Sequence, residues 1–93
     1  MVVISPSAEA DLRSIKENIA SDKPAAAIKW LDGIHKTFAM IDMHPEVGEN
    51  RTEFSVKGCR SLTYGRYVIF FRRSEVGIEI ARVIHGSRDL RYI

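Results

Sequence analysis

The fold is decided by residues 67–85, Tyr-Val-Ile-Phe-Phe-Arg-Arg-Ser-Glu-Val-Gly-Ile-Glu-Ile-Ala-Arg-Val-Ile-His. Two runs of β-branched and aromatic residues, 67–73 and 78–85, flank a short turn from Ser74 to Gly77, which predicts a β-hairpin. Residues 68–71 are apolar at every position. Both faces of this central strand must therefore be covered.

The residues before this hairpin predict two more strands. Residues 51–57 and 60–64 are strand-like and end at Gly58 and Gly65, where tight connections are expected. At the other end of the chain, Val2-Val3-Ile4 predicts a short first strand.

Two helices are predicted between the first strand and the others. Ser5 as N-cap and Pro6 at the first helical position begin the first helix. Its apolar stripe and that of the second helix follow helical spacing, and we expect Asp22 to cap the second helix. The stripes comprise Ala8, Leu12, Ile15 and Ile19 in the first helix and Ala27, Leu31, Ile34, Phe38 and Ile41 in the second.

This order of elements predicts an α+β fold, in which an antiparallel helical hairpin packs on one face of a mainly antiparallel sheet. Gly33, in the middle of the second helix, indicates a close helix–helix or helix–sheet approach. Because two helices cover only one sheet face, we expect the second apolar face to be open to a partner.

Length and composition set the class of protein. Ninety-three residues, 45% hydrophobic and 28% charged, predict one globular domain over residues 1–93. A lone Cys59 fits a packed side chain in a reducing compartment better than a nucleophile. The N-terminus lacks a signal-peptide pattern, and no apolar run approaches the roughly 20 residues of a membrane span, so we expect a cytoplasmic protein.

Charge is distributed unevenly along the chain. Residues 1–50 hold five Lys and Arg against eight Asp and Glu, and residues 51–93 hold nine against four. The halves carry −3 and +5, which sum to the net +2. This pattern indicates a face directed at an acidic protein or at nucleic acid, although such an offset also arises by chance.

Five motifs, in this order and spacing, carry a family resemblance. They are Ser-Pro-Ser-Ala-Glu-Ala-Asp-Leu-Arg-Ser-Ile at 5–15, Pro-Glu-Val-Gly at 45–48, Gly-Cys-Arg at 58–60, Tyr-Val-Ile-Phe-Phe-Arg at 67–72 and Arg-Val-Ile-His-Gly-Ser-Arg-Asp at 82–89. The chain resembles the ParE/RelE superfamily of small bacterial toxins, and its ending resembles the ParE branch. RelE-like members cut mRNA on the ribosome, whereas ParE-like members inhibit DNA gyrase without known catalysis.

Several positions separate the two branches. RNA cleavage needs a general base, a general acid and cations on the phosphate. RelE-like RNases resemble one another in carrying lysines where this chain has Ser61 and Thr63, and an arginine where it has Tyr67. Of their functional residues, Arg88 is retained, and Tyr92 lies close to the position of their C-terminal catalytic tyrosine.

His85 has two interpretations. As a general base it would pair with Tyr64 or Tyr92, as in another RNase subgroup of the superfamily. In the ParE-like ending, the histidine closes the last strand and hydrogen-bonds the turn, which we favour. Asp89 is expected to pair with Arg88 or with Arg60, fixing the tail.

The resemblance implies a toxin of a type II toxin–antitoxin module, with DNA gyrase as its target and no catalytic residues. The implied target contacts are Tyr67, Arg82, Arg88 and Arg91. The implied partner is an acidic ParD-like antitoxin that lays a helix on the outer side of the hairpin and crosses the open sheet face. The residues expected to receive it are Ile28, Trp30, Ile69 and Phe71.

The resemblance implies no cofactor, and operator DNA would be reached only through the antitoxin. His35 and His44 have no third ligand in the sequence, which argues against a metal site. Two alternatives stay open: a RelE-like ribosome-dependent mRNA endonuclease, and a non-toxic relative that serves as a co-repressor with its antitoxin.

Overall fold

The computed structural model describes residues 1–51 and 58–87. Its elements follow the predicted order, except that a strand at Glu49–Asn50 precedes the strand predicted over 51–57 and Arg51 is not in a strand. They are β1 (Val2–Ile4), α1 (Pro6–Ala20), α2 (Pro24–Met43), β2 (Glu49–Asn50), β3 (Arg60–Tyr64), β4 (Tyr67–Ser74) and β5 (Gly77–His85). The predicted strand over 51–57 lies, beyond Arg51, outside the described residues.

The five strands form one sheet in the order β1-β5-β4-β3-β2. β1 runs parallel to β5, and the other neighbouring pairs are antiparallel. The expected α+β architecture is thereby confirmed. Within the described part of the chain, no helix has both the length and the apolar character that crossing a membrane requires.

The two helices begin differently. Ser5 caps α1, since its hydroxyl accepts the Ala8 N–H at 3.0 Å, as the Ser-Pro pair predicts. The expected Asp22 cap of α2 is wrong. Pro24 is the first helical residue, so the N-cap is Lys23, which makes no side-chain capping bond. Asp22 lies instead in the turn that ends α1, where its N–H donates to the Ile19 carbonyl.

The main core lies between the helices and one sheet face. Its buried members come from both helices and from β4 and β5: Ala8, Leu12, Ile34, Phe38, Ile41, Ile69, Phe71, Ile78, Ile80 and Val83. The placement of Ile69 and Phe71 corrects a prediction. Their side chains are 0% and 1% exposed beneath the helices, so a partner cannot reach them without opening the core.

The second face of the sheet also differs from the prediction. Its apolar side chains form a smaller cluster of Cys59, Val68, Phe70 and Ile84. Phe70 and Ile84 are each 2% exposed in the single chain, so these described apolar side chains are buried rather than open as expected. Docking of an antitoxin on this side of the sheet stays a prediction. The burial of Cys59 agrees with its predicted packing role.

A β-bulge in β5 adjusts which side chains reach the main core. Phe70 pairs with Arg82 and Phe71 pairs with Ile80, which leaves Ala81 as an extra residue. Ile80 and Val83 both enter the main core although three positions separate them. A regular strand would direct one of them to the opposite face. The bulge thus allows Arg82 to lie between two core residues and reach α1.

Two of the family motifs meet in the structure. Arg60, from the Gly-Cys-Arg motif, donates to the carbonyls of Glu46, Val47 and Gly48 at 2.6–3.1 Å. Gly48, from the Pro-Glu-Val-Gly motif, has φ +80 and lies against the Ser61 carbonyl, where a Cβ would collide. The guanidinium expected to pair with Asp89 is therefore bonded to the loop that follows α2.

The close approach predicted at Gly33 occurs between α2 and the sheet. A Cβ at this position would collide with the hydroxyl of Tyr64 from β3. The Tyr64 hydroxyl also lies 3.5 Å from the Trp30 carbonyl, at the limit of a hydrogen bond. Gly33 therefore allows the tyrosine to lie flat against the helix.

Gly33→Ala should lower the free energy of unfolding by about 1–3 kcal/mol, because the new methyl group overpacks the site. Helix propensity alone predicts the opposite sign, a gain of about 1 kcal/mol. In a Tyr64→Phe background the collision with the hydroxyl is removed, and the same change should become neutral or stabilising. Urea denaturation of the four proteins measures this. An equal effect of Gly33→Ala in both backgrounds would contradict the contact.

Candidate functional site

A cleft of about 330 Å³ lies between α1 and the neighbouring ends of β4 and β5. Among the described residues, its walls come from Asp11, Ser14, Ile15 and Asn18 of α1, Tyr67 of β4, and Val83, Ile84 and His85 of β5. The first and last residues of the β-hairpin over 67–85, Tyr67 and His85, both line this cleft. The cleft includes one predicted target contact, Tyr67.

Aromatic rings line up behind the cleft. Tyr67 makes edge contacts with Trp30 of α2 at 5.3 Å and with His85 at 5.4 Å between ring centroids. Trp30 also contacts Tyr64 at 6.2 Å. The half-buried Tyr67 ring is therefore held on two sides. Such a ring can contact a partner with little further loss of side-chain freedom.

His85 ends β5 and bonds to the turn that follows it. Its Nδ1 accepts the Ser87 N–H at 3.1 Å and lies 2.7 Å from the Ser87 hydroxyl. The structure confirms the predicted turn-closing role. Because Nδ1 is an acceptor here, the neutral ring carries its proton on Nε2. In that tautomer Nε2 is a hydrogen-bond donor.

The alternative pairing of His85 with Tyr64 does not occur. The Tyr64 hydroxyl packs on α2 at Gly33, and the histidine ring contacts Tyr67 instead. Tyr92, the other proposed partner, lies outside the described residues. The described geometry around His85 thus holds a turn and an aromatic contact.

Asp11 joins the cleft to the sheet. Its carboxylate accepts from Arg82 Nε at 2.8 Å and from an Arg82 Nη at 3.0 Å, and it also accepts the Val83 N–H at 2.9 Å. These three bonds attach α1 to β5 just beyond the point where β1 stops pairing. The hydrogen bond to Asp11 raises the pKa of the Arg82 guanidinium above its ordinary value.

The sign of this shift sets where the pair contributes. A pKa that is higher in the folded state means that the protonated arginine favours folding. The contribution is complete at every pH below the ordinary pKa of arginine and is lost only in strong alkali. Across physiological pH, Arg82 therefore stays charged.

Of the four predicted target contacts, one is among the described lining residues of the cleft. Tyr67 lines the cleft, and Arg82 lies behind it with its guanidinium committed to Asp11. Arg88 and Arg91 lie outside the described residues. Arg82 is thus a residue that holds the wall of the cleft in place.

The four predicted antitoxin contacts differ in their exposure. Ile69 and Phe71 are core residues, as described above, and Trp30 packs against the edge of that core. Ile28 is 73% exposed on α2. It lies on the same helix face as Leu31 and His35, three and seven residues further on.

A second groove, of about 220 Å³, runs between the two helices on the outer side of the hairpin. Leu12 and Leu31 supply its apolar surface, and its other lining residues are Glu9, Arg13, Lys16 and His35. Two cationic side chains and a histidine thus border this hairpin groove against one carboxylate. Within residues 1–51 and 58–87, no group of three His, Cys, Asp or Glu side chains is arranged to hold a metal ion.

Sequence reasoning missed Asp11, Ser14 and Asn18 as parts of the site. Asp11 stands inside the first family motif, and this was the signal available. Its partner lies 71 residues away. Ser14 and Asn18 carried no signal, because exposed polar residues on a helix look alike until the neighbouring sheet is in place.

The geometry can be compared with known proteins. The sequence profile described as "ParE toxin of type II toxin-antitoxin system, parDE" matches residues 2–90. This chain belongs to the ParE toxin family. It is therefore a toxin of a type II toxin–antitoxin system.

Structural comparison agrees with this assignment at the level of the fold. A solved structure titled "Chromosomal ParDE TA system from P. aeruginosa" superposes with a TM-score of 0.74 at 22% identity. The match covers 90% of this chain and 92% of the other. A search of curated protein sequences finds no significant match.

Asp11 of the first motif bonds to Arg82 of the last motif. Asp11→Ala should lower the free energy of unfolding by about 2 kcal/mol, because it strands the Arg82 charge and the Val83 N–H in a partly buried position. Asp11→Asn should cost less, since its amide oxygen can still accept the Val83 N–H.

The matched control is Asp32→Ala. Asp32 pairs with Lys36 one turn along α2, where the two side chains are 66% and 77% exposed. Its removal should change the free energy of unfolding by less than about 0.5 kcal/mol. Equal destabilisation by Asp11→Ala and Asp32→Ala in urea would contradict the structural role of Asp11.

Proposed function

We propose that this toxin, a single ParE-like domain over residues 1–93, inhibits DNA gyrase by binding it in the cytoplasm and is neutralised by a ParD-like antitoxin. The proposal assigns no catalytic residue. The family match over residues 2–90 supports the class of protein, and the chemistry of the site supports binding over RNA cleavage.

The observation that carries this choice concerns the positions where an RNase would hold cations. Ser61 is buried, and its hydroxyl accepts from Arg51 Nε at 2.7 Å. Tyr67 stands in an aromatic row rather than presenting a guanidinium. Cleavage at the 2′-hydroxyl requires positive charge where the phosphate gains negative charge. These described positions supply an aromatic ring and hydroxyl groups.

The hydrogen bonds of His85 also support binding over RNA cleavage. A general base must present an unprotonated nitrogen to the group it deprotonates. The Nδ1 lone pair of His85 is bonded to Ser87, and Nε2 carries the proton in the neutral ring. Proton abstraction by Nδ1 would first require the loss of its hydrogen bonds to Ser87.

Controlled expression with pulse labelling separates the two activities. If gyrase is the target, incorporation of thymidine into DNA should fall within the first minutes, before incorporation of amino acids into protein. Purified toxin should then inhibit supercoiling by gyrase. An earlier fall in protein synthesis would contradict the gyrase proposal and favour the RelE-like mRNA endonuclease. Growth without any arrest would favour the non-toxic co-repressor.

The hairpin groove is the surface that we propose for the antitoxin. Its accessible apolar surface is at half-buried Leu31, three residues along α2 from the exposed side chain of Ile28. An amphipathic helix covers such a surface with side chains at every third or fourth position. The hairpin groove replaces Ile69 and Phe71, which lie in the core, as the proposed docking surface.

Charge favours an acidic occupant for the hairpin groove. Arg13 and Lys16 lie on its border with His35, and Glu9 is the one carboxylate among its described lining residues. An acidic, partly disordered antitoxin segment would be attracted to this border as it folds. Opposite charge on the two chains would raise the association rate and make it sensitive to salt.

The double variant Arg13→Glu/Lys16→Glu should weaken binding of the antitoxin encoded beside this chain by at least about tenfold, or roughly 1.4 kcal/mol. Repulsion between the new carboxylates and the acidic segment is the reason. Isothermal titration calorimetry at low and high salt measures it, and high salt should narrow the difference.

Lys29→Glu/Lys36→Glu is the matched control. It changes the net charge equally at exposed positions of α2 that do not line the hairpin groove. This control should bind within about twofold of the unchanged toxin. Equal weakening by both double variants would indicate a general charge effect and remove the groove as the docking surface.

A further inference from the structure

We propose that the cleft between α1 and the ends of β4 and β5 receives a neutral loop of the toxin's protein target, with one apolar side chain of that loop inserted against Tyr67. This inference rests on the proposed function, since it assumes that the toxin acts by binding. It names the contact surface and the chemistry of the segment that fits there. The cleft is distinct from the hairpin groove.

The charge of the described lining residues of the cleft favours a protein occupant. Asp11 is the acidic residue among these lining residues. Its carboxylate forms an ion pair with Arg82, whose Nε lies 2.8 Å from the Asp11 oxygen. None of the described lining residues is a lysine or an arginine. Binding of a nucleic-acid backbone depends on cations that neutralise phosphates. A protein segment without net charge fits this cleft better than RNA or DNA.

The walls of the cleft suit an apolar side chain. Ile15 and Tyr67 are both half-buried, so each retains surface that a partner can cover. Trp30 and His85 hold the Tyr67 ring from either side. Aromatic residues already fixed in place are typical binding hot spots, because little side-chain entropy remains to be lost. A cleft of about 330 Å³ has room for one large side chain and its main chain.

The rim suits the main chain of a loop. Ser14 and Asn18 stand one turn apart on the exposed side of α1. In the part of the chain that the structure describes, neither side chain is used in a hydrogen bond. A hydroxyl and an amide each donate and accept, which is what the N–H and C=O groups of an extended loop require. His85 lines the opposite wall, and in its neutral ring the Nε2–H adds a donor there.

The test fills the cleft from its exposed side. Ser14→Tyr adds a ring over the cleft from a position that is not in the core. Growth arrest after expression should be lost, and half-inhibition of supercoiling should require at least about tenfold more protein. The melting temperature should stay within about 2 °C, and antitoxin binding within about twofold. Asn18→Tyr, one turn further along α1, should behave in the same way.

The matched control is Ala39→Tyr. Ala39 is exposed on α2 and lines neither described concavity, so the same ring added there should leave growth arrest intact. Folded Ser14→Tyr and Asn18→Tyr proteins that arrest growth as strongly as Ala39→Tyr would overturn the cleft proposal.

Two readouts separate this inference from the proposed function. If the unchanged toxin arrests growth without inhibiting supercoiling, the gyrase assignment fails, and the cleft is still judged by growth arrest. Fluorescence anisotropy with a short single-stranded RNA tests the alternative occupant. Binding of that RNA by the unchanged toxin and its loss in Ser14→Tyr would overturn the assignment of a protein loop.

Discussion

The attachment of α1 to the sheet depends on the Asp11 carboxylate. One helix side chain accepts three hydrogen bonds from β5: two from the Arg82 guanidinium and one from the Val83 backbone. β1 pairs with β5 only as far as Ile80, so the backbone of Val83 would otherwise be left at an open edge. Ser5 adds a further bond between the start of α1 and β5, since its hydroxyl donates to the Ala81 carbonyl at 2.8 Å. The first helix thus completes an edge that the short first strand leaves unfinished.

The bulge and this attachment depend on each other. The extra residue at Ala81 allows Ile80 and Val83 to share the core while Arg82 reaches the helix. A regular strand would direct Ile80 and Val83 to opposite faces at the cost of one core contact. The cleft then forms on the same side, between the helix that Asp11 holds and the Tyr67 ring at the start of β4. The shape of the cleft therefore depends on the hydrogen bonds of Asp11 that hold α1 against β5.

The aromatic row fills the end of β4 with packed rings. In this ParE toxin, the position where the RelE-like sequence pattern places an arginine is taken by Tyr67, which packs between Trp30 and His85. An aromatic ring at that place offers surface for a partner and no charge for a phosphate. The scaffold is retained while the chemistry at the end of the hairpin differs, which is why family membership alone does not assign the target.

The two concavities differ in a way that suits two partners. The hairpin groove combines leucines with Arg13 and Lys16, whereas the charge of the cleft is matched internally by Asp11 and Arg82. They lie on different sides of α1, so one helix contributes to both. A toxin that must be inhibited by one protein and act on another needs surfaces of different chemistry if each partner is to be recognised by itself.

Most elements, their order and the family resemblance could be predicted from the sequence, whereas β2 at Glu49–Asn50 and the Lys23 cap of α2 were not. Ser5 and Pro6 begin a helix by local capping, and alternation and β-branching specify the strands, because these signals act over a few residues. Only the tertiary structure decided which faces are available. Ile69 and Phe71 appeared equivalent to Val68 and Phe70 in an apolar run, and both pairs proved to be buried. The pairing of Asp11 with Arg82, the contact of Tyr64 with Gly33 and the cleft itself join residues far apart in the chain. Such contacts depend on packing between elements, which local sequence does not encode.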